Sequence, residues 1–174
     1  MKKFLLLAIA FIAFQTSFAQ TTFSKGDKLI EGSVSYTKTK DVDASYTFSP
    51  TVGYFLNDKT TVGVSVETGK ASTGSHTCLG VFARHYFLNV GQNFKVYSQL
   101  GVNNNNYDAD TKAYISADLG LGLNYFVTKN LALTTSLTSL ASYNDQTSTF
   151  TVGFGDVKNP FTTATPKFGL LYRF

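Results

Sequence analysis

Apolar and polar residues alternate along most of this chain with a period of two. Ile30, Gly32, Val34 and Tyr36 alternate with Glu31, Ser33, Ser35 and Thr37. Tyr46, Phe48, Pro50, Val52, Tyr54 and Leu56 alternate with Ser45, Thr47, Ser49, Thr51 and Gly53. Val62, Val64 and Val66 stand against Thr61, Gly63, Ser65 and Glu67; Leu79, Val81, Ala83, His85 and Phe87 against Gly80, Phe82, Arg84 and Tyr86. Phe94, Val96, Ser98, Leu100 and Val102 oppose Lys95, Tyr97, Gln99 and Gly101; Ile115 to Tyr125 repeat the pattern. Leu131, Leu133, Thr135 and Leu137 oppose Ala132, Thr134, Ser136 and Thr138, and Phe168, Leu170, Tyr172 and Phe174 oppose Lys167, Gly169, Leu171 and Arg173. Successive side chains on a strand point to opposite faces, so each run predicts a strand with one apolar face.

These runs make eight strands, several about ten residues long, which is the length a tilted strand needs to cross a bilayer. The connections at 57–59, 89–93 and 128–130 are short, while those at 38–43, 69–76, 103–112 and 143–163 are longer and polar. Two placements of the strands compete. In a soluble sandwich or ligand-binding barrel the apolar face points inward. In a membrane barrel it meets lipid, and the polar face lines a narrow interior. The polar face is rich in Gly, Ser and Thr, small enough to fit a small barrel, and carries few charges. Aromatics such as Tyr46, Tyr54, Phe87, Phe94 and Tyr125 fall near strand ends, where interfacial girdles sit. The expectation is an all-β, eight-stranded antiparallel up-and-down transmembrane β-barrel with both termini on the short-turn side. The segment at 149–157 also alternates and would make an odd ninth strand; it reads as a β extension of the last long loop. Pro160 and Pro166 then interrupt the ladder before the final strand.

Composition adds an address. Lys2 and Lys3 precede an apolar stretch at 4–14, and Ser17-Phe18-Ala19 places small residues where a signal peptidase reads them. A cleaved leader at 1–19, with the junction at Ala19 and Gln20, leaves 20–174 as the barrel domain. The mature part carries 13 basic and 11 acidic residues, too even a balance to call for nucleic acid. Cys78 is the single cysteine, so no disulfide framework exists within the chain. It lies at an inward position and reads as a small filler.

The C-terminal stretch Phe168-Gly169-Leu170-Leu171-Tyr172-Arg173-Phe174 resembles the signal by which bacterial outer-membrane barrels are recognised for assembly. Tyr125-Phe126-Val127-Thr128-Lys129-Asn130-Leu131-Ala132-Leu133 and Gly80-Val81-Phe82-Ala83-Arg84-His85-Tyr86-Phe87 are similar to segments of small outer-membrane β-barrel proteins. These are the proteins resembling outer-membrane protein X or the barrel of outer-membrane protein A. The resemblance implies a Gram-negative outer-membrane location, with lipid as solvent and the barrel-assembly machinery as partner of Phe168, Leu170, Tyr172 and Phe174. It also implies a structural or adhesive role, with a surface partner at the outer loops. Porin-like transport of small or apolar solutes is the runner-up, and a soluble periplasmic barrel holding an apolar ligand is a third reading. Nothing in the chain matches the wall-binding domain of two-domain members.

Candidate chemistry concentrates on the inward face. Strand parity places Glu31, Arg84, Lys95 and Arg173 in the half near the short turns, and Glu67, Asp118 and Lys167 in the half near the long loops. Each group mixes signs, as burial demands. The set is read as a structural network filling the lumen, in preference to a selectivity lining. His76 and His85 are the only histidines, and no serine has a nucleophile context, so no catalytic activity is expected. The oxygen-rich run Asn103-Asn104-Asn105-Asn106-Tyr107-Asp108-Ala109-Asp110 lacks the ordered spacing of a calcium loop, and it is read with Asp41 and Asp43 as solvated loop. No metal or cofactor is called for.

Overall fold

In the computed structural model the chain forms a closed all-β barrel, described for residues 22–38, 44–71, 74–107, 112–153 and 168–174. The strands are β1 (Lys28–Thr37), β2 (Ser45–Phe55), β3 (Thr60–Ala71), β4 (Gly74–Val90), β5 (Phe94–Tyr107), β6 (Tyr114–Phe126), β7 (Leu131–Asn144), β8 (Thr149–Val152) and β9 (Phe168–Arg173). β1 to β7 pair antiparallel in sequence order, and β9 pairs with both β7 and β1, closing eight strands on themselves. β8 stands outside this closure. It folds back on Ala141–Asn144 of β7 as a hairpin, the extension expected for the first part of 149–157. The leader with Ala19 and Gln20, the loop residues Asp41, Asp43, Asp108 and Asp110, and Lys167 lie outside the described residues.

The two faces separate as the alternation predicts. Val34, Leu79, Val81, Leu100, Phe168 and Leu170 point outward and are exposed. Leu29, Phe55, Arg84, Tyr97, Asn124 and Leu171 on the opposite parity are buried. A closed ladder leaves no unpaired sheet edge, which is what an apolar surrounding requires of a backbone.

The structure corrects the expected strand limits at the long-loop end. Residues 69–71 and 74–76 are strand, not loop: Gly69 pairs with His76, Lys70 with Ser75 and Ala71 with Gly74. Asn103 to Tyr107 are likewise strand, paired with Gly80 to His76. The outward residues there are polar, with Thr68 and Lys70 on β3, Ser75 and Thr77 on β4, and Asn104 and Asn106 on β5. A strand that has left an apolar environment loses its apolar row but keeps its ladder, so polarity alone does not mark a loop.

Parity also shifts where the ladder carries extra residues. β7 has two register shifts against β6, between Leu119 and Gly120 and between Leu121 and Gly122. Thr138, expected inward, therefore pairs with Leu121 of the outward row, and Ser139 takes the position opposite Gly120. A third shift, at Tyr86 and Leu88, leaves Phe87 as the extra residue and brings Asn89 opposite Lys95. Such bulges add one residue to one strand and reverse the facing of those that follow.

Candidate functional site: the barrel interior

The short-turn end is sealed by an aromatic cluster. Phe23, ahead of β1, folds into the barrel mouth, its ring 4.3 Å from Phe55, 4.6 Å from Tyr86 and 5.7 Å from Phe126. Leu29, Tyr97, Ala132 and Leu171 complete the buried cluster. A tight turn presents Phe23: the Asp27 amide donates to the Ser24 carbonyl, and the Ser24 amide donates to Asp27 Oδ2 at 3.0 Å. Gly26 takes a φ of +97° within this turn, a conformation that side chains resist. Arg173 clamps the segment from below, donating to the Thr22 carbonyl, to Asp27 Oδ2 at 3.3 Å and to the Lys129 carbonyl at 3.1 Å. Lys95 lies with Nζ 4.9 Å from the centre of the Phe23 ring and donates to Asn89 at 3.1 Å.

Above this layer sits Arg84, whose side chain is only 2% exposed. Its Nη1 donates to Glu31 Oε2 at 2.7 Å, and its Nε donates to Gln99 Oε1 at 2.8 Å. The guanidinium lies 4.1 Å from the centre of the Tyr97 ring. Tyr86 Oη joins the layers, receiving Asn124 Nδ2 at 3.0 Å and approached by Arg84 at 3.4 Å. The ion pair spans the lumen from β1 to β4, and the planar guanidinium divides its donors between Glu31 and Gln99. Tyr97 has room because its cross-strand neighbour is Gly122, where a Cβ would overlap the phenol ring.

The long-loop half is polar and incompletely filled. A cavity of about 290 Å³ lies above Arg84, walled by Ser33, Ser49, Ser65, Glu67, Cys78 and Asn105 among others. Ser49 Oγ donates to Glu67 Oε2 at 2.8 Å, and His76 Nε2 stands 3.5 Å from Glu67 Oε1. Asn103 donates to Asp118 at 3.0 Å, and Asn105 to Ser116 at 2.8 Å. His76, Tyr107 and Tyr114 stack in sequence, with ring centres 5.5 Å and 6.0 Å apart.

The structure thus brings together Glu31 and Arg84 from the sequence-derived set but divides the remainder. Arg173 belongs to the Phe23 clamp at the rim, Lys95 to the aromatic floor, and Glu67 and Asp118 to separate contacts near the loops. Sequence reasoning missed Phe23 and Asp27, although a lone aromatic in the polar run Thr21-Thr22-Phe23-Ser24-Lys25 was a usable signal. It also placed His76 and the asparagine run in loops, where their inward parity had no meaning. Ser49 Oγ donates to the Glu67 carboxylate that His76 also faces, an arrangement that does not activate Ser49 as a nucleophile. Among the described residues no group of three or more metal-ligating side chains converges.

A closed eight-stranded antiparallel barrel with an apolar exterior and a narrow interior lined by side chains is the architecture of small outer-membrane proteins. Solved structures agree on the fold. The N-terminal β-barrel domain of Pseudomonas aeruginosa OprF is 18% identical, with a TM-score of 0.55 over 87% of this chain and 100% of that one. The outer-membrane protein OprG of Pseudomonas aeruginosa is 14% identical, with a TM-score of 0.52 over 90% of this chain and 99% of its own. A de novo designed transmembrane β-barrel is 16% identical and reaches 0.52 over 88% and 99% of the two chains. No protein-family model matches the sequence, and no curated protein matches it. A designed barrel among the neighbours underlines that this likeness carries architecture and not activity.

Proposed function

We propose that this chain is an integral barrel of a Gram-negative outer membrane with a sealed lumen and a structural or surface-contact role, without catalytic activity. The short turns and both chain ends face the periplasm in this reading, and the long loops face outward to meet a surface partner. Lipid solvates the outward row. Phe168, Leu170, Tyr172 and Phe174, all exposed on the outside of β9 and its end, present the pattern read by the assembly machinery.

The observation that carries the sealed lumen is the stack of Phe23, its aromatic neighbours and the Arg84–Glu31 pair, which fills the short-turn half. At eight strands the interior is just wide enough for side chains to fill it. The apolar exterior, and a lumen whose cavity is walled largely by polar side chains, argue against a soluble carrier of apolar ligands. Planar-bilayer recording tests the seal: the expected trace is flat, and large steady currents would establish the porin-like alternative. Fractionation tests the location, since recovery in the soluble periplasm would defeat the membrane reading.

A further inference from the structure

The outer rim at the short-turn end carries lysines on one side and no exposed charge on the other. Lys25, Lys28, Lys59 and Lys129 are all exposed there. None of these lysines has an ion-pair partner among the described residues. Asp27 is taken by Arg173 at 3.3 Å. Among the described residues, the exposed acidic groups at this end are Asp58 and the carboxylate of Phe174. No Asp or Glu precedes Asp27 in the sequence, so this side of the rim is basic. Lys28 holds the central place. It lies on the outward face of β1, in the row of Ile30 and Val34. It pairs with Tyr54 on one side and exchanges both backbone bonds with Phe174 on the other. Tyr54, Tyr172 and Phe174 are exposed aromatics of the kind that form an interfacial girdle. A lysine in such a row lays its stem along the rings and carries its ammonium to the polar interface. Beyond Phe174 the turn at 128–130 brings Lys129, whose carbonyl accepts from Arg173 at 3.1 Å. The turn bearing Lys25 adjoins Tyr54, whose Oη lies 3.9 Å from where a Cβ on Gly26 would stand. The sector across the barrel, at Phe94 and Tyr125, differs. Its connection at 89–93 holds no charged residue, and Lys95 is turned inward onto Asn89 and the Phe23 ring.

We infer that the β9–β1–β2 sector of this rim binds the phosphate head groups of anionic phospholipids, with Lys28 and Lys129 flanking Phe174 as the principal cations and Lys25 beside them. The inference rests on the membrane placement above and adds to it a charge preference confined to one sector. A zwitterionic head group brings its own ammonium, so lysines without partners favour the anionic one. Lipid at the Phe94 side meets aromatic rings without exposed cations and has no such preference.

The chain has no Trp, so a single introduced Trp reads the lipid at a chosen place. Tyr54→Trp puts the reporter beside Lys28, and Phe94→Trp puts it in the uncharged sector. Each whole protein is folded into phosphatidylcholine vesicles containing either phosphatidylglycerol or phosphatidylcholine with the same brominated acyl chains, which quench a neighbouring indole. In Tyr54→Trp the brominated phosphatidylglycerol is expected to associate about fivefold more strongly than the phosphatidylcholine, the equivalent of ~1 kcal/mol for one lysine near a charged surface. In Phe94→Trp the two lipids should quench alike. Adding Lys28→Gln and Lys129→Gln to Tyr54→Trp should abolish the preference, and Lys28→Arg with Lys129→Arg should keep it. Equal association in Tyr54→Trp overturns the site. So does the same preference in both reporters, which would belong to the barrel as a whole. A preference that survives in the folded double Gln variant overturns the role of the lysines. Quenching by neither lipid in either reporter would defeat the membrane placement, and the site with it. The two reporters decide the proposal even where the Gln variant does not fold.

Discussion

Arg84 and Glu31 meet at 2.7 Å across the lumen, with side chains 2% and 12% exposed, and a double-mutant cycle should show them acting as one unit. Charges ~4 Å apart attract by about 4 kcal/mol at an effective dielectric of ~20, and desolvation offsets much of that. The cost of separating them is therefore asymmetric. Arg84→Met leaves the mostly buried Glu31 carboxylate without its counter-charge, at about 3–5 kcal/mol. Glu31→Gln is milder, about 1.5–3 kcal/mol for a lost charged hydrogen bond, because the guanidinium keeps Gln99 at 2.8 Å and the face of Tyr97. The double variant carries neither charge, so its loss should fall about 2 kcal/mol short of the sum, within the range for contacting residues. The chain has no Trp for fluorescence, so folding into lipid vesicles across a urea series is read by heat-modifiable gel mobility. Additive losses, with coupling under about 0.5 kcal/mol, would falsify the claim that this pair holds the lumen together.

The same urea series checks three further substitutions. Val81→Arg places a charge at an exposed outward position; it should cost about 2–4 kcal/mol in lipid, whereas a water-facing surface would register within about 0.5 kcal/mol. Phe23→Ala should lower stability by about 3–5 kcal/mol if the ring is part of the cooperative core, and an unchanged midpoint would show the segment to be an independent flap. Gly122→Val drives a side chain into the Tyr97 ring and should cost about 1–3 kcal/mol; adding Tyr97→Ser should recover part of it, and no recovery would contradict the packing described.

Architecture was legible because a lipid-facing sheet writes its period into the sequence. Eight rows, the closing strand and the extension at 149–152 all follow from counting every second residue. The interior was legible as a set of residues but not as contacts. Parity and strand order tell that Glu31 and Arg84 face inward in the half near the short turns; they cannot tell that the two meet, because contact depends on register. Three bulges, each invisible to alternation, changed what followed them, most plainly at Thr138 and Asn89. Phe23 left a signal in its polar run but no position: it belongs to no strand, and its place depends on a turn made by Ser24, Gly26 and Asp27.

β3, β4 and β5 outlast their apolar rows at the long-loop end. From Leu79, the last apolar outward residue of β4, five more residues run to Gly74. At ~3.3 Å per residue and a tilt near 40° this lifts the sheet about 13 Å further along the axis. In the membrane placement proposed above, this end of the sheet stands as a hydrogen-bonded parapet beyond the level of the lipid headgroups. A stiff stand-off of that kind fixes the reach of the loops and lowers the ordering cost of an encounter. The polar strand ends are thus spacers as much as walls.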